Sequence, residues 1–369
     1  MPELADVFRL YGPAYVEKYG SRMLPSHKRA MQDIVQCRTG ELGGTTWYCP
    51  ECADFHYSHH SCKNRHCPKC QNDAADDWIV MQQGKLLPVP YFMITVTLPS
   101  ELRQVTRSNQ IAVYRIFFQT SAEAIQLLAL DPRFIGGEIG LLGVLQTWTR
   151  AMDYHPHIHY LVPGGGLSLD RKRWLAAKPD FLMPAKPLAM IFKGKFRDAL
   201  KKVGLFESVP KSVWKKDWVI DIEPVGNGEA AVKYLAPYIF RVAISNRNIL
   251  SMKEGQVTFR YKDSETREVQ FRTLPADRFI ALFLQHVLPM GFIKVRYFGF
   301  YASTKKHLLG IVKELLLIRP AKEEKPAKPA KGFKCPDCGK PMIAMQDIPA
   351  KRGPPFSIQF SRYNGVISK

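Results

Sequence analysis

The side chains best placed for chemistry stand in the run Tyr154-His155-Pro156-His157-Ile158-His159-Tyr160-Leu161-Val162. The run is mostly apolar and ends at Pro163-Gly164-Gly165-Gly166, the pattern of a short strand closed by a glycine turn. Alternate residues of a strand share a face, so His157 and His159 project together, with His155 above them, while Ile158 points the other way. Neutral imidazoles side by side offer nitrogen lone pairs to a metal ion. The same trio also suits a solvated polar strand face, and the strand alone leaves both readings open. A second constellation follows in Ala231-Val232-Lys233-Tyr234-Leu235-Ala236-Pro237-Tyr238-Ile239-Phe240-Arg241. A helix opened by Gly226-Asn227-Gly228-Glu229 sets Tyr234 and Tyr238 at i and i+4, about 5–6 Å apart at Cβ. Pro237 removes a backbone donor between them and kinks or ends that helix. Taken alone, this spacing favours packing over chemistry.

Six of the eight cysteines fall within residues 37–70. Cys49-Pro50-Glu51-Cys52 and Cys67-Pro68-Lys69-Cys70 are two Cys-x2-Cys knuckles, and such pairs in a reducing compartment read as zinc ligands rather than disulfides. Their spacing predicts one structural four-thiolate Zn²⁺ site at Cys49, Cys52, Cys67 and Cys70. Cys37, Cys62 and His66 are then left for a second zinc site or for ordinary packing. Arg65, beside the second knuckle, is a candidate for DNA backbone contact or a solvated turn residue. Cys335-Pro336-Asp337-Cys338 is a lone knuckle, half of a zinc ribbon, which borrows ligands from elsewhere, binds metal weakly or holds none.

The elements that must position these groups follow from pattern. Tyr91–Pro99, Leu141–Thr149, His157–Val162 and Trp218–Glu223 read as strands, with Arg150-Ala151-Met152-Asp153 turning the second into the third. Ile111–Leu130 reads as a helix with Val113, Ile116, Phe117, Ala124 and Leu127 inward, and Leu188–Val203 as a lysine-rich amphipathic helix. Val242–Leu250, Gln256–Lys262 and Glu268–Thr273 look like further strands, followed by a helix through Val287. The predicted class is α+β, a largely antiparallel sheet with flanking helices beside a small N-terminal zinc-binding module. The expected division is a module at 1–85, a catalytic domain at 86–306 and a basic linker with half-ribbon tail at 307–369.

Composition narrows the function. A hydrophobic fraction of 46% with 11% aromatics is that of a folded soluble chain. No apolar run reaches the roughly 20 residues a membrane span needs, and Met1–Asp6 lacks a signal-peptide core, so a cytoplasmic protein is expected. The formal charge is +20, yet residues 1–80 hold 9 basic and 10 acidic side chains, so the surplus lies beyond them. A surplus of this size makes nucleic acid the expected partner, because lysine and arginine release counterions from phosphates.

Histidines on a strand followed by paired tyrosines resemble the HUH endonucleases, which carry a His-hydrophobic-His pair and a tyrosine nucleophile. The wording of Tyr154–Gly166 is most similar to the rolling-circle transposases of the insertion sequence 91 family, as are Tyr234–Asn246, Cys62–Cys70 and Gln285-His286-Val287-Leu288-Pro289. The resemblance covers roughly residues 20–310, with the motifs in the family's order. It implies an HUH-like antiparallel sheet with the histidines on a central strand, a zinc-binding N-terminal region, and a metal-dependent single-strand DNA nuclease and strand transferase. His157 and His159 would hold Mg²⁺ or Mn²⁺, with His155, Gln146, Asp221 or Glu223 as third ligand. Tyr234 or Tyr238 would form a 5′-phosphotyrosine link, Tyr234 first because it precedes Pro237, and Arg241 would touch phosphate or a salt-bridge partner. Trp148, Trp174, Trp214 and Phe192 are candidate stacking surfaces for unpaired bases, or core. A plasmid replication initiator or relaxase of the same chemistry, and a non-enzymatic zinc-ribbon DNA-binding protein, are the alternatives.

Overall fold

The computed structural model describes residues 1–70, 78, 79, 82, 85–230, 232, 233, 239, 243–263, 266–318 and 333–350. In chain order come helices α1 (Leu4–Tyr19) and α2 (Pro25–Gln36), strands β1 (Gly44–Cys49), β2 (Asp54–His59) and β3 (Tyr91–Thr97), then helices α3 (Arg103–Ser108) and α4 (Gln110–Ala129). Strands β4 (Gly140–Trp148), β5 (Tyr154–Pro163), β6 (Gly165–Leu167) and β7 (Trp174–Ala176) lead to α5 (Ala185–Lys202) and β8 (Ile220–Pro224). Strands β9 (Ile249–Lys253), β10 (Gln256–Lys262) and β11 (Val269–Pro275), helix α6 (Ala276–Leu284), strand β12 (Val295–Gly299), helix α7 (Lys306–Leu315) and strand β13 (Ile343–Ile348) complete the order. Among the described residues no helix is long and apolar enough to cross a membrane.

The fold is mixed α and antiparallel β, as expected, and the chain forms two compact units, each assembled from separate stretches of sequence. One compact unit is assembled from Met1–Gln71, Val242–Val287 and Ala321–Lys369, the other from Asn72–Arg241 and Leu288–Pro320. The reason lies in where apolar faces find partners. Helix α6 packs on α1 with the rings of Phe8 and Phe283 5.5 Å apart, and Phe259 of β10 meets Phe279 of α6 at 5.7 Å. The antiparallel sheet β11-β10-β9 therefore belongs with the N-terminal helices. Its first strand begins at Ile249 rather than Val242, since residues 246–248 form a 3-10 turn.

The second unit is built on a five-stranded sheet in the order β12-β4-β5-β3-β8, every neighbouring pair antiparallel. Strand β5 is its middle, and the expected hairpin from β4 is present. Asp153 O accepts from Thr149 N at 3.0 Å, and Met152 takes φ 66° in the turn. Every residue of β4 and nearly every residue of β5 is buried, because both faces are covered. One face, bearing Ile94, Val96, Leu141, Leu145, Ile158, Tyr160 and Val162, packs against α4 and α5. Phe117 lies 5.7 Å from Phe192 across those helices. Leu127, expected inward on α4, is 51% exposed. In the last turn Ile125, Leu128 and Ala129 face the core instead. The other face carries Tyr91, Met93, Leu142, Val144 and Leu161, covered by Trp78 and Val232.

Register across this sheet is pinned by one close approach. Gly143 on β4 pairs with Tyr160 on β5, and the tyrosine ring lies over the glycine. A Cβ at Gly143 would sit 2.6 Å from Tyr160 Cε1 and 3.2 Å from Phe118 Cε1. The ring has no room to retreat, since its hydroxyl is bonded to Ser121 Oγ at 2.7 Å and donates to Phe118 O at 3.2 Å. Gly143→Ala is expected to destabilise this unit by about 1–3 kcal/mol, the usual cost of overpacking a filled core. Denaturant unfolding measures it, and an unchanged midpoint would refute the close-approach account.

Candidate active site and cysteine clusters

Strand alternation and register together build the histidine site. On β5, His157 pairs with Gln146 of β4 on one side and Thr97 of β3 on the other; His159 pairs with Val144 and Thr95. Directly paired residues share a face, so His157, His159, Gln146 and Thr95 stand together. His157 and His159 are each 8% exposed, their ring centroids 4.8 Å apart. His157 Nδ1 lies 2.7 Å from the carbonyl of His155. A carbonyl only accepts, so Nδ1 donates there and the lone pair stays on Nε2. His159 Nδ1 is 3.0 Å from Thr95 Oγ1, which orients that ring. Such bonds to the second ring nitrogen are how imidazole ligands are held in place.

Burial, the largest cause, lowers the pKa of His157 to about 4, against the opposing bond to the His155 carbonyl, and of His159 to about 3; repulsion between the rings were both protonated adds to it. Both rings are therefore neutral near pH 7, the form that binds a metal. Gln146 fits the same purpose. Its Nε2 donates to Trp148 O at 3.1 Å, while its Oε1 is buried with no hydrogen-bond partner among the described residues. A buried, unengaged carbonyl oxygen on the sheet face that carries two neutral imidazoles suits a divalent cation.

The other expected ligands stand differently. His155 is half-buried, and Arg103 Nη2 donates to its Nδ1 at 3.1 Å, so that nitrogen is already engaged. Asp221 and Glu223 are exposed on the edge strand β8, and Thr95 stands between Asp221 and His159 in the ladder. Tyr234, Tyr238 and Arg241 lie outside the described residues. The side chains bracketing the tyrosines do not: Val232 and Ile239 pack with Met93, Val144 and Leu161 on the histidine face. Of the expected stacking groups, Phe192 and Trp148 are buried, Trp174 is half-buried, and Trp214 is stacked 5.7 Å from Trp218. Sequence reasoning missed Thr95, Arg103 and Lys294. Lys294 Nζ lies 5.0 Å from the Trp148 ring centroid and donates to Ile239 O at 2.9 Å. Only the strand pairing could have found Thr95, and no local pattern marks the other two.

The cysteines form two clusters, and the expected site of Cys49, Cys52, Cys67 and Cys70 is corrected. Cys67 and Cys70 gather with Cys37 and Cys62; Cys49 and Cys52 gather with Cys335 and Cys338. The cause is the β1–β2 hairpin. The five steps of about 3.4 Å from Gly44 to Cys49 carry its tip, with Cys49 and Cys52, some 17 Å from its base. At the base, Arg38 N donates to His60 O and His60 N to Gly43 O, which brings Cys37 and Cys62 together. Cys70 Sγ is 3.3 Å from Cys37 Sγ and 3.5 Å from Cys62 Sγ. His66, expected with Cys37 and Cys62, is not a member of this group. A hydrogen bond from Cys62 brings the Cys37 thiol down to about 7, and contacts with the other three sulfurs hold Cys70 low. Clustered thiols of this kind share negative charge that a soft divalent ion neutralises. Burial lowers the pKa of Arg65, which is only partly open to a DNA backbone.

Comparison with known proteins places the chain among transposases. A family described as "Putative transposase" matches residues 140–307, and one described as "Transposase zinc-binding domain" matches residues 7–98. The chain is 36% identical over 322 residues to "Putative transposase y4qJ" of Sinorhizobium fredii (strain NBRC 101917 / NGR234), covering 82% of this chain and 81% of that protein. It is 27% identical over 295 residues to "Transposase for insertion sequence element IS801" of Pseudomonas savastanoi pv. phaseolicola, covering 73% and 69% respectively. No solved structure matches. The zinc-binding region contains Cys37, Cys62, Cys67 and Cys70 complete, so structural Zn²⁺ has a full set of thiolates there.

The buried neutral histidines carry a pH signature. Their unfolded pKa is about 6.5 and their folded values are about 4 and 3. Between these limits the unfolded chain takes up protons that the fold refuses. Stability of the metal-free protein should thus hold above pH 6.5 and decline as pH falls toward 4, by up to about 1.4 kcal/mol per pH unit for each histidine. Urea midpoints across this window test it. His157→Asn should flatten the decline, and an identical slope would count against burial as the cause.

Proposed function

The chain belongs to the insertion sequence 91 family of transposases, with a zinc-binding domain over residues 7–98, and on that footing we propose that it moves DNA by a rolling-circle route. In this reading it cleaves single-stranded DNA at an element end and transfers the strand through a 5′-phosphotyrosine intermediate. The observation that carries the reading is the shared face of His157, His159 and Gln146, with Val232 and Ile239 packed on that same face at either side of the tyrosine segment.

The residues divide the work as follows. The Nε2 of His157, the ring of His159 and Gln146 Oε1 make up the donor set for Mg²⁺ or Mn²⁺, and Thr95 and the His155 carbonyl hold the two rings. The bound ion would supply charge neutralisation at the scissile phosphate, which a phenol with an unperturbed pKa near 10 needs in order to attack. Tyr234 is the proposed first nucleophile. Its oxygen forms the bond to phosphorus as the 3′-oxygen leaves to become a free hydroxyl. The bond energy stays in the phosphotyrosine, so the reverse attack onto another strand needs no nucleotide cofactor. Tyr238 would hold the second link of a strand-transfer cycle. Lys294, over the Trp148 ring, donates to the carbonyl of Ile239, the residue that follows Tyr238.

The decisive experiment mixes the full chain, Mn²⁺ and labelled single-stranded DNA bearing the element's ends, and looks for a covalent adduct that survives denaturation. Tyr234→Phe should eliminate the adduct, while Tyr238→Phe should leave cleavage and impair strand transfer. Loss of the adduct with Tyr238→Phe alone would reverse the assignment, and indifference to both changes would end the tyrosine reading. His157→Ala or His159→Ala should lower cleavage by about a thousandfold, the several kcal/mol a metal supplies. Gln146→Ala should raise the Mn²⁺ concentration needed by about tenfold. Full activity in excess chelator would exclude the metal role.

A further inference from the structure

Cys335 and Cys338 lie outside both regions matched by known families, and Cys335 is 283 residues from Cys52, which it meets. We propose that Cys49, Cys52, Cys335 and Cys338 hold a second Zn²⁺, making the C-terminal knuckle the closing half of a site whose first half is the β1–β2 turn. All four sulfurs lie within 4.8 Å of one another. Cys49 Sγ is 3.6 Å from Cys338 Sγ, and Cys52 Sγ is 3.9 Å from Cys335 Sγ. A tetrahedron with Zn–S bonds of about 2.3 Å has sulfur–sulfur edges of about 3.8 Å. A disulfide would need about 2.05 Å, and all eight cysteines are free.

Both halves have turns of the kind that place two thiolates on one ion. Ala53, after Cys52, takes φ 54°, and Gly339, after Cys338, takes φ 73°. Gly339 N donates to Cys335 O at 2.9 Å, and Cys335 N donates to Lys340 O at 2.9 Å, closing the second knuckle on itself. His56 borders the site with Nε2 3.6 Å from Cys335 Sγ and 3.3 Å from Asp337 Oδ2. That nitrogen is placed to donate to the thiolate, the outer support typical of zinc ligands.

Among the described residues, this end of the chain is otherwise held by backbone pairing, by Asp347 contacts to Thr45 and His60, and by a small apolar cluster. Strand β13 pairs with β1 from Gly44↔Ile348 to Tyr48↔Ile343, yet all six of its residues are exposed. The apolar contacts beneath the knuckles are Cys49, Cys335 and Met342, with Trp47 and Phe333 stacked 5.5 Å apart. So small a cluster does not secure a strand by burial, and a metal bound by both chain segments does. The two cysteine clusters share no ligand, so each ion binds on its own account.

The test uses the full chain purified as expressed. Elemental analysis should find two zinc ions per chain in the wild type and one in Cys335→Ser/Cys338→Ser. Alkylation followed by mass mapping should show Cys49 and Cys52 becoming reactive in that variant, while Cys37, Cys62, Cys67 and Cys70 stay protected. Replacing zinc with Co²⁺ should give thiolate-to-cobalt charge-transfer absorption about twice as strong in the wild type as in the variant. One zinc per wild-type chain overturns the proposal even if the variant does not fold. So does retention of two ions by the variant, or continued protection of its Cys49 and Cys52.

Discussion

The histidine site depends on the register of one strand. Strand β5 is paired on both sides, to β4 and to β3, and its side chains alternate between two covered faces. Ile158 and Tyr160 are committed to the α4–α5 core, which leaves His157 and His159 no choice but the opposite face. A slip by one residue would bury imidazoles against Phe117 and Phe118 and push Ile158 onto the polar face. Gly143 removes that freedom, because only a glycine accommodates the Tyr160 ring opposite it. The chemistry is thus held by a packing constraint on the far side of the sheet.

The same burial sets the electrostatics. A histidine on a solvated edge strand titrates near neutrality and binds metal only in competition with protons. Strand β5 lies in the middle of the sheet, where desolvation keeps both rings neutral well below physiological pH. Gln146 adds an acceptor with no charge. The face that carries the two imidazoles and the Gln146 amide oxygen therefore brings no negative charge of its own from these three groups. A carboxylate in the place of Gln146 would add a negative charge to a face that desolvation otherwise keeps neutral.

Much of the catalytic sheet was legible in the sequence, because its signals are local. The alternation in Tyr91–Thr97 and His157–Val162, the turn at Arg150–Asp153 and the 3.6-residue stripe of Ile111–Leu130 each show in a window of a few residues. The cysteine partnership was not legible, because a Cys-x2-Cys knuckle specifies only its own turn. Which two knuckles meet is settled by where β1 and β2 carry their tip and by a strand arriving from beyond residue 333. Loop-closure entropy grows only logarithmically with length, so Cys335 is not disfavoured as a partner by distance along the chain. Spacing arguments favour neighbours, and here the neighbours were the wrong choice. The lone C-terminal knuckle was itself the available signal, since half a ribbon implies a missing half.

The division of the chain carries a further consequence. The boundary between the two units is crossed by the chain near residues 71, 241, 287 and 320. One crossing follows directly on the segment bearing Tyr234 and Tyr238, and the next returns the chain to supply β12, the edge strand paired to β4. Residues 242–287 are therefore an excursion that both leaves from and re-enters the catalytic unit. Its ends are held by β12 on the sheet and by Ile239, whose carbonyl accepts from Lys294.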